Sequence, residues 1–445
     1  MEATTRPDAD AQLVKVLGAG TIAANAINLT VASGIFVLPA VVAGLIGPAG
    51  ALAYLVCGAA MALVLLCFCE LGSTTTRSGG GYAYIDAAFG PFAGFLAGTL
   101  LWFAFGVLSD AAIAAAFVDT LASVWSPLKA PLMRAAVLAL FFGSLVGINI
   151  VGAKAGARFA VTMTIVKLVP LAVFIVAALP AVHLDALTWS GPPTLSKLGE
   201  TSLVLFFAFT GAETALSPSG EIKNPRRTVP LGLMAGAAGV IVIYLLVHLV
   251  AQGVLGPDLA KNEAAPLVAA AQKAMGDWGR VLLLVGASLS MFGAVAGDVL
   301  SSPRALFATA SDGLLPSPLA KVHPRFRTPY VAIAVYGGLA CAFAMTGGFR
   351  ALAALSSAGL LLVYLAVCVA ALRKRIKSPG DTSGFRAPGG LLVPLLACAL
   401  VIGLLSNAAR SDVIALSVLL GGAALYYLLR RRLRVAKDKL AAGAP

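Results

Sequence analysis

The chain has 445 residues, of which 60% are hydrophobic and only 11% are charged. A soluble globular domain is about one quarter charged, so this composition excludes an ordinary water-soluble protein. The net charge of +13 comes partly from short basic runs beside apolar segments, as at residues 373–375 and 430–432. That distribution is the one that orients membrane proteins, and it argues against a nucleic-acid partner.

Apolar runs of the length that crosses a bilayer core, about 20 residues, follow one another with short connections. The sequence therefore predicts an all-α integral membrane protein of about twelve transmembrane helices in one membrane domain. In chain order the expected helices lie near residues 16–40, 50–70, 91–120, 133–152, 159–180, 199–217, 229–250, 279–309, 329–346, 351–372, 390–407 and 413–429.

Lys and Arg residues fall mostly on one side of this predicted bundle. The face that holds the termini and the even-numbered connections carries about three times as many bases as the other face. We therefore expect both termini to be cytoplasmic and the protein to be a multi-pass component of the cytoplasmic (inner) membrane. The expected parts are a cytoplasmic segment at 1–15, a core of ten helices at 16–372, helices 11 and 12 at 373–429, and a basic cytoplasmic tail at 430–445.

The residue types that build metal sites and disulfide frameworks show no suitable pattern. The six cysteines lie in apolar stretches without CxxC spacing, and the three histidines are scattered. We expect no metal, no cofactor and no disulfide framework. No HExxH, GxSxG or GxxxxGK[ST] motif is present, which argues against an enzyme and against transport driven directly by ATP.

Two of the predicted helices are interrupted at corresponding positions of two five-helix blocks. Gly and Pro weaken a helix, and polar groups are costly in lipid, so unwound backbone at membrane depth survives where it is buried or lines a cavity. Paired interruptions point to a transporter site, and the alternative is a pair of ordinary kinks in a packed bundle. The two segments are Ala32-Ser33-Gly34-Ile35-Phe36 with Pro39, and Thr210-Gly211-Ala212-Glu213-Thr214 with Pro218.

Four charged residues lie well inside the predicted helices. Asp110 is in the third, Lys167 in the fifth, Glu213 in the sixth and Asp298 in the eighth. Each costs about 2.5–3.5 kcal/mol at a helix centre, so each is a candidate functional residue.

The two interruptions offer complementary backbone groups. Free N–H groups near Ser33, Gly34 and Ile35, at the positive end of a half-helix, suit a carboxylate. Free carbonyls around residues 207–210 suit an ammonium group. An α-amino acid carries both groups on one carbon, and this favours amino acids over sugars, nucleosides or inorganic ions.

Several motifs in order along the chain resemble those of the amino acid–polyamine–organocation transporter superfamily. The resemblance covers almost the whole chain and is closest to the arginine/agmatine antiporter and proton-coupled amino acid transporter branches. The matching runs are Ser33-Gly34-Ile35-Phe36-Val37-Leu38-Pro39, Gly79-Gly80-Gly81-Tyr82-Ala83-Tyr84, Phe209-Thr210-Gly211-Ala212-Glu213, Glu221-Ile222-Lys223-Asn224-Pro225-Arg226-Arg227-Thr228-Val229-Pro230, Ser302-Pro303-Arg304-Ala305-Leu306 and Asp312-Gly313-Leu314-Leu315-Pro316.

This resemblance implies a five-plus-five inverted-repeat (LeuT-like) fold with broken helices 1 and 6 and alternating access. It implies that Ser33, Gly34 and Ile35 contact the substrate carboxylate. The carbonyls of Phe207 and Thr210, beside Gly211 in the same break, would bind the amine. Phe207 would also cover the substrate on the extracellular side.

The resemblance also assigns coupling roles to two charged residues. Glu213 matches a glutamate implicated in proton sensing, and Lys167 matches a lysine whose ammonium takes the place of sodium in sodium-coupled relatives. Lys167 therefore predicts sodium-independent transport; the alternative is that its side chain extends to the cytoplasmic surface.

The two aspartates leave alternatives open. Asp298 departs from the tryptophan of the arginine/agmatine antiporters, and it either favours a cationic substrate group or packs against neighbouring backbone or Arg304. Asp110 either lines the same cavity or lies in water near Asp119.

The sequence thus predicts a secondary active transporter of amino acids or related organic amines. Proton-coupled symport is preferred, with an exchanger (antiporter) as the alternative; a membrane-embedded enzyme or a non-transporting receptor fits less well. The expected partners are the substrate, protons and membrane lipid. The sequence leaves the oligomeric state open, a homodimer included.

Overall fold

The protein is helical in every range that the computed structural model describes, namely residues 17–74, 79–151, 157–189, 191–216, 222–311, 313–378 and 384–442. Within these ranges the β-structure is limited to one isolated bridge between Leu17 and Ile222. The helices are α1 (Ala19–Thr30), α2 (Gly34–Ile46), α3 (Gly50–Gly72), α4 (Gly81–Phe89), α5 (Pro91–Thr99), α6 (Ser109–Ala122), α7 (Pro131–Val151), α8 (Ala157–Ala178), α9 (Leu195–Phe209), α10 (Pro225–Leu255), α11 (Pro266–Ser311), α12 (Tyr330–Thr346), α13 (Phe349–Lys377), α14 (Leu392–Leu405) and α15 (Arg410–Ala442).

Each of the twelve predicted segments coincides with helix in this structure. The first corresponds to α1 and α2 together, and the sixth to α9 with the short 3-10 helix Ala212–Leu216. Among the described residues, seven helical stretches are long and apolar enough to cross a membrane. The chain is therefore an all-helical, multi-pass membrane protein, while the count of twelve crossings stays a prediction. Pro218, residues 1–15 and the last three residues of the predicted tail lie outside the described residues.

The eighth predicted helix begins earlier than expected. The sequence predicts residues 279–309, whereas α11 starts at Pro266 and bends at Gly276, where φ is +73°. The first part of α11 carries polar residues such as Gln272 and Lys273, so an apolar-run search passes over it. Only a glycine adopts this backbone conformation without strain, and the bend separates the polar first part from the apolar part.

The third predicted helix contains an irregular stretch that turns its polar residues inward. A π-helical segment, Leu100–Leu108, separates α5 from α6. A π-helix places more residues in each turn than an α-helix does, so it shifts which side chains face the core. Asp110 follows immediately and is completely buried.

Close helix contacts depend on small residues, as is usual in membrane bundles. On α10, a side chain at Gly236 would bring its Cβ within 2.7 Å of the Ala26 Cβ of α1. A Cβ at Gly232 would lie 2.7 Å from the Ala19 carbonyl oxygen of the same helix. These glycines allow α1 to lie directly on α10.

One end of the bundle is fastened by a buried ion pair between α3 and α13. The guanidinium of Arg375 binds both carboxylate oxygens of Glu70, and its Nε donates to each oxygen at 2.9 Å. Arg375 also donates to the Ala387 carbonyl at 3.0 Å, so it joins α13 to the segment before α14. Both side chains are at most 5% exposed, and removing either partner would leave an uncompensated charge in the core.

We expect Glu70→Gln to destabilise the fold by about 3–5 kcal/mol, because it leaves the Arg375 charge buried without its partner. Glu200→Gln is the matched control, since it breaks the Glu200–Arg350 pair, whose side chains are about half exposed, and should cost less than about 1 kcal/mol. The measurement is the apparent melting temperature of each purified variant in detergent. Equal melting temperatures for the two variants would show that the buried pair contributes no more to stability than the exposed pair.

Candidate functional site

The first interrupted segment exposes backbone donors at the start of a helix. α1 ends at Thr30, Val31 is extended, and α2 begins at Gly34. Phe36 and Val37 donate to the Ser33 carbonyl, but the amides of Ser33, Gly34 and Ile35 donate to no backbone carbonyl among the described residues. The Ser33 hydroxyl is also buried without a hydrogen-bond partner there. The break therefore has the unpaired N–H groups that the sequence predicts.

The second interrupted segment exposes backbone acceptors at the end of a helix. α9 ends at Phe209, Thr210 is extended, and Gly211 has φ of +111°. The Phe207 carbonyl accepts from the Thr210 hydroxyl at 2.8 Å and from its amide at 3.4 Å. In the described part of the chain, the carbonyls of Ala208, Phe209 and Thr210 accept no such bond. The free carbonyls thus include that of Thr210, as expected, whereas the Phe207 carbonyl already accepts two hydrogen bonds.

The two interruptions pack directly against each other through a glycine from each side. A Cβ at Gly34 would lie 2.7 Å from the Cβ of Ala208 and 2.8 Å from its Cα. A Cβ at Gly211 would lie 2.7 Å from the Leu29 carbonyl oxygen. Each glycine therefore meets the backbone of the other broken helix, and the segments that carry the free donors and the free acceptors are in direct contact.

Glu213 lies within the second break and binds its backbone. Its Oε2 accepts a hydrogen bond from the Gly211 amide at 3.1 Å, and the side chain is 5% exposed. Its Oε1 is buried without a hydrogen-bond partner among the described residues. The Tyr364 hydroxyl of α13 lies within interaction range of this carboxyl. A change at Glu213 would therefore reach both the Gly211 turn and α13.

Lys167 joins α8 to the first break. Its side chain is buried, and Nζ donates to the Asn28 carbonyl of α1 at 3.2 Å. This position excludes the alternative in which Lys167 extends to the cytoplasmic surface. Tyr244 of α10 binds the same helix end from another direction, because its hydroxyl donates to the Thr30 carbonyl at 2.9 Å.

The two intramembrane aspartates lie next to each other. Asp110 is completely buried, and its Oδ2 accepts from the Tyr336 hydroxyl of α12 at 2.9 Å. Its carboxyl is within hydrogen-bond reach of the Asp298 carboxyl, which also interacts with Lys167. The alternative that put Asp110 in water near Asp119 is therefore wrong. Asp119 lies at the far end of α6, where it pairs with Arg134.

Phe207, near the end of α9, packs against the beginning of α13. Its side chain is 5% exposed, and its ring meets that of Phe349 edge to face, with centroids 5.7 Å apart. Phe349 is the first residue of α13, so this contact joins the end of α9 to the beginning of α13.

Four polar residues at this site are not predicted from the sequence. Asn28, Tyr244, Tyr336 and Tyr364 supply a carbonyl or a hydroxyl to it. A search for charges inside apolar segments does not detect them, because tyrosine and asparagine are common at packed positions. Tyrosine hydroxyls at membrane depth were the available signal, since a buried hydroxyl requires a partner. The described residues contain no group of three or more His, Cys, Asp or Glu placed to hold a metal ion.

These observations define a multi-pass membrane protein with a polar region buried between two interrupted helices, an arrangement typical of secondary transporters. The family described as amino acid permease matches residues 17–421. The chain therefore belongs to the amino acid permease family, whose members are transporters and not enzymes.

Curated relatives match the chain over nearly its full length. The serine/threonine exchanger SteT of Bacillus subtilis is 28% identical over 91% of this chain and 94% of its own. The methylthioribose transporter of the same organism is 28% identical over 88% and 87% of the two chains. Its branched-chain amino acid permease BcaP is 26% identical over 94% of each. The family match at residues 17–421 extends over both interruptions and all four intramembrane charges.

We expect Gly34→Ala to destabilise the protein by about 1–3 kcal/mol, because the added Cβ overpacks against the Ala208 backbone. Gly44→Ala on the same helix is the matched control, since its Cβ would meet only the Ala260 side chain at 3.9 Å. The apparent melting temperatures of the two variants in detergent test this. Adding Ala208→Gly to Gly34→Ala should recover part of the loss. A Gly34→Ala protein as stable as the control would contradict the close contact.

Proposed function

We propose that this protein is a secondary active transporter of amino acids or related organic amines. The observation that carries the proposal is that unpaired amides at the start of α2 and unpaired carbonyls at the end of α9 lie on two breaks that pack against each other. A zwitterion satisfies both sets at once, and no single-charged group does. The serine/threonine and branched-chain specificities in the names of two relatives support the same substrate class.

The substrate carboxylate binds the amides of Ser33, Gly34 and Ile35, where the α2 dipole adds a partial positive charge. The ammonium group binds the carbonyl of Thr210 and those just before it, beside the Gly211 turn. Gly34 and Gly211 contribute by keeping the two breaks close enough for one small molecule to reach both. The substrate side chain then lies among neighbouring helices, where Asp298 would favour a cationic group.

Transport is sodium-independent in this proposal. Lys167 already presents a cation to the Asn28 carbonyl, next to the first break. A sodium ion at that carbonyl would have to displace or face the ammonium, which Coulomb repulsion opposes. Lys167 instead connects the protonation state of the core to the position of α1. Glu213 connects its own protonation state to the conformation of the second break.

The mechanism is alternating access in a five-plus-five inverted repeat within a twelve-helix protein. The two broken helices and the substrate between them open to one side and then to the other. Separation of Phe207 from Phe349 opens the outer path. Both termini are cytoplasmic and the protein lies in the cytoplasmic membrane, as the distribution of basic residues predicts.

Proton-coupled symport is the preferred driving mode, because buried ionisable groups contact both breaks. Exchange is the second candidate, and the exchanger named among the relatives favours it. In exchange the empty carrier does not reorient, so an external substrate enters only when an internal one leaves.

The test is uptake into proteoliposomes of labelled arginine, lysine, alanine, leucine, serine, glutamate, putrescine and methylthioribose, without sodium. We expect at least one member of the panel to enter faster than into protein-free vesicles, and amino acids above all, because their carboxylate and ammonium groups satisfy the two breaks. An inward proton gradient should drive its accumulation if symport operates. Uptake that requires preloaded substrate would identify an exchanger.

The same preparation tests the substrate class and the site. N-acetylated and methyl-ester forms of the transported amino acid should compete at least tenfold more weakly, since each removes one of the two charges. If folded protein takes up no amino acid or amine, either with a proton gradient or after preloading, the proposal is overturned. Uptake of methylthioribose alone would identify a different substrate class.

A further inference from the structure

The carboxyl groups of Asp110 and Asp298 form a pair that the backbone contacts proposed for the substrate carboxylate and ammonium do not use. They come from α6 and α11, and the hydroxyl of Tyr336 on α12 donates to Asp110 Oδ2 at 2.9 Å. The two carboxyls are within hydrogen-bond reach of each other. Asp110 is completely buried, whereas Asp298 is partly exposed, so a proton from water would reach the pair through Asp298.

One atom of this pair lacks a donor. Asp110 Oδ1 is buried, and no N–H or O–H group of the described residues binds it. Buried polar atoms nearly always have a partner, and two ionised carboxylates in contact repel strongly. A single proton held between the two carboxyls removes both difficulties, because it joins them by a hydrogen bond and leaves one negative charge shared by two groups.

We propose that Asp110 and Asp298 together hold the proton that is coupled to transport, with Lys167 as the cation that sets how many protons the pair carries. This inference rests on the proposed transport function and assigns the coupling proton within it. Asp298 is then a proton-binding group, and its effect on substrate selectivity is secondary.

Charge balance gives the proton count. With the Lys167 ammonium nearby, a pair that holds one proton is net −1 and the cluster of three side chains is neutral. If Lys167 withdraws, the pair becomes neutral by binding a second proton from water at the remaining carboxylate, forming one O–H bond. When Lys167 returns, that proton dissociates to water. Charges at membrane depth are costly, so neutrality favours this exchange of partners.

Lys167 links this count to the first broken helix. Its Nζ also donates to the Asn28 carbonyl at 3.2 Å, three residues before the extended Val31. A shift of α1 during alternating access therefore moves Lys167 relative to Asp298. The expected coupling is one proton for each transport cycle.

The groups that face the pair come from three helices. Lys167 of α8 interacts with Asp298, Asp110 of α6 with Asp298, and Tyr336 of α12 with both aspartates. The other helices packed on α6 and α11, among them α2, α7 and α10, bring no ionisable side chain into interaction range in the described ranges. Substitutions at these few positions therefore test the aspartate pair without changing other ionisable groups around it.

The experiment compares two rates in proteoliposomes with the substrate identified for the wild type. One is accumulation driven by an inward proton gradient, and the other is exchange at equal pH in vesicles preloaded with the same substrate. Asp110→Asn should lower the ratio of the first to the second at least tenfold, because Asp110 can no longer share a proton. Asp119→Asn on the same helix is the matched control, since Asp119 pairs with Arg134 away from the cluster, and its ratio should equal that of the wild type.

Tyr336→Phe provides a second test that keeps both carboxyls. It removes the donor to Asp110 Oδ2, so the shared proton should bind more tightly and the pH at half-maximal gradient-driven uptake should rise. A wild-type pH profile in Tyr336→Phe, or an unchanged ratio in Asp110→Asn, would overturn the assignment. So would an equal loss of both rates in folded Asp110→Asn, which would indicate a purely structural role.

Wild-type behaviour separates this inference from the function on which it rests. Wild-type protein that exchanges substrate but ignores the proton gradient would disprove the coupling pair and leave the transporter intact. Wild-type protein that transports no amino acid or amine under either condition would disprove the proposed function itself.

Discussion

The contact between the two broken helices is the constraint on which the rest of the site depends. Gly34 meets the backbone of Ala208, and Gly211 meets the carbonyl of Leu29. Unpaired backbone groups cost several kcal/mol each in hydrocarbon, so neither break could face lipid. Each break is tolerated because the other covers it. The two breaks also leave backbone amides at the start of α2 and carbonyls at the end of α9 without partners among the described residues, and a small zwitterion carries a group for each set.

The buried charges extend this constraint to the surrounding helices. Lys167 binds the carbonyl of Asn28 just before the first break, and Glu213 binds the amide of Gly211 within the second. Each ionisable group therefore acts on backbone rather than on a remote side chain. A charge at membrane depth is stable only with compensation, so a movement of either break requires a new partner or a proton. Protonation and helix position are linked through this requirement.

Different parts of the bundle are held together by different interactions. α1 lies on α10 through Gly232 and Gly236, where the two backbones approach closely, and through the hydrogen bond from the Tyr244 hydroxyl to the Thr30 carbonyl. α3 is fixed to α13 by the buried Glu70–Arg375 pair, which cannot be broken without exposing a charge. The first broken helix is thus held by close packing and one hydrogen bond, whereas α3 and α13 are held by a buried ion pair.

The sequence by itself determined the helical membrane class, the two interruptions and the four intramembrane charges. Each is a local property: an apolar run, a Gly or Ser inside it, or an ionisable residue within it. Only the tertiary structure decided that Phe207 already binds Thr210 and that Asp110 meets Asp298. Those partners lie on helices far apart in the chain, or depend on the turn at one helix end. Side-chain direction there follows from helix rotation, which the π-helical stretch before Asp110 alters and which apolar periodicity does not encode.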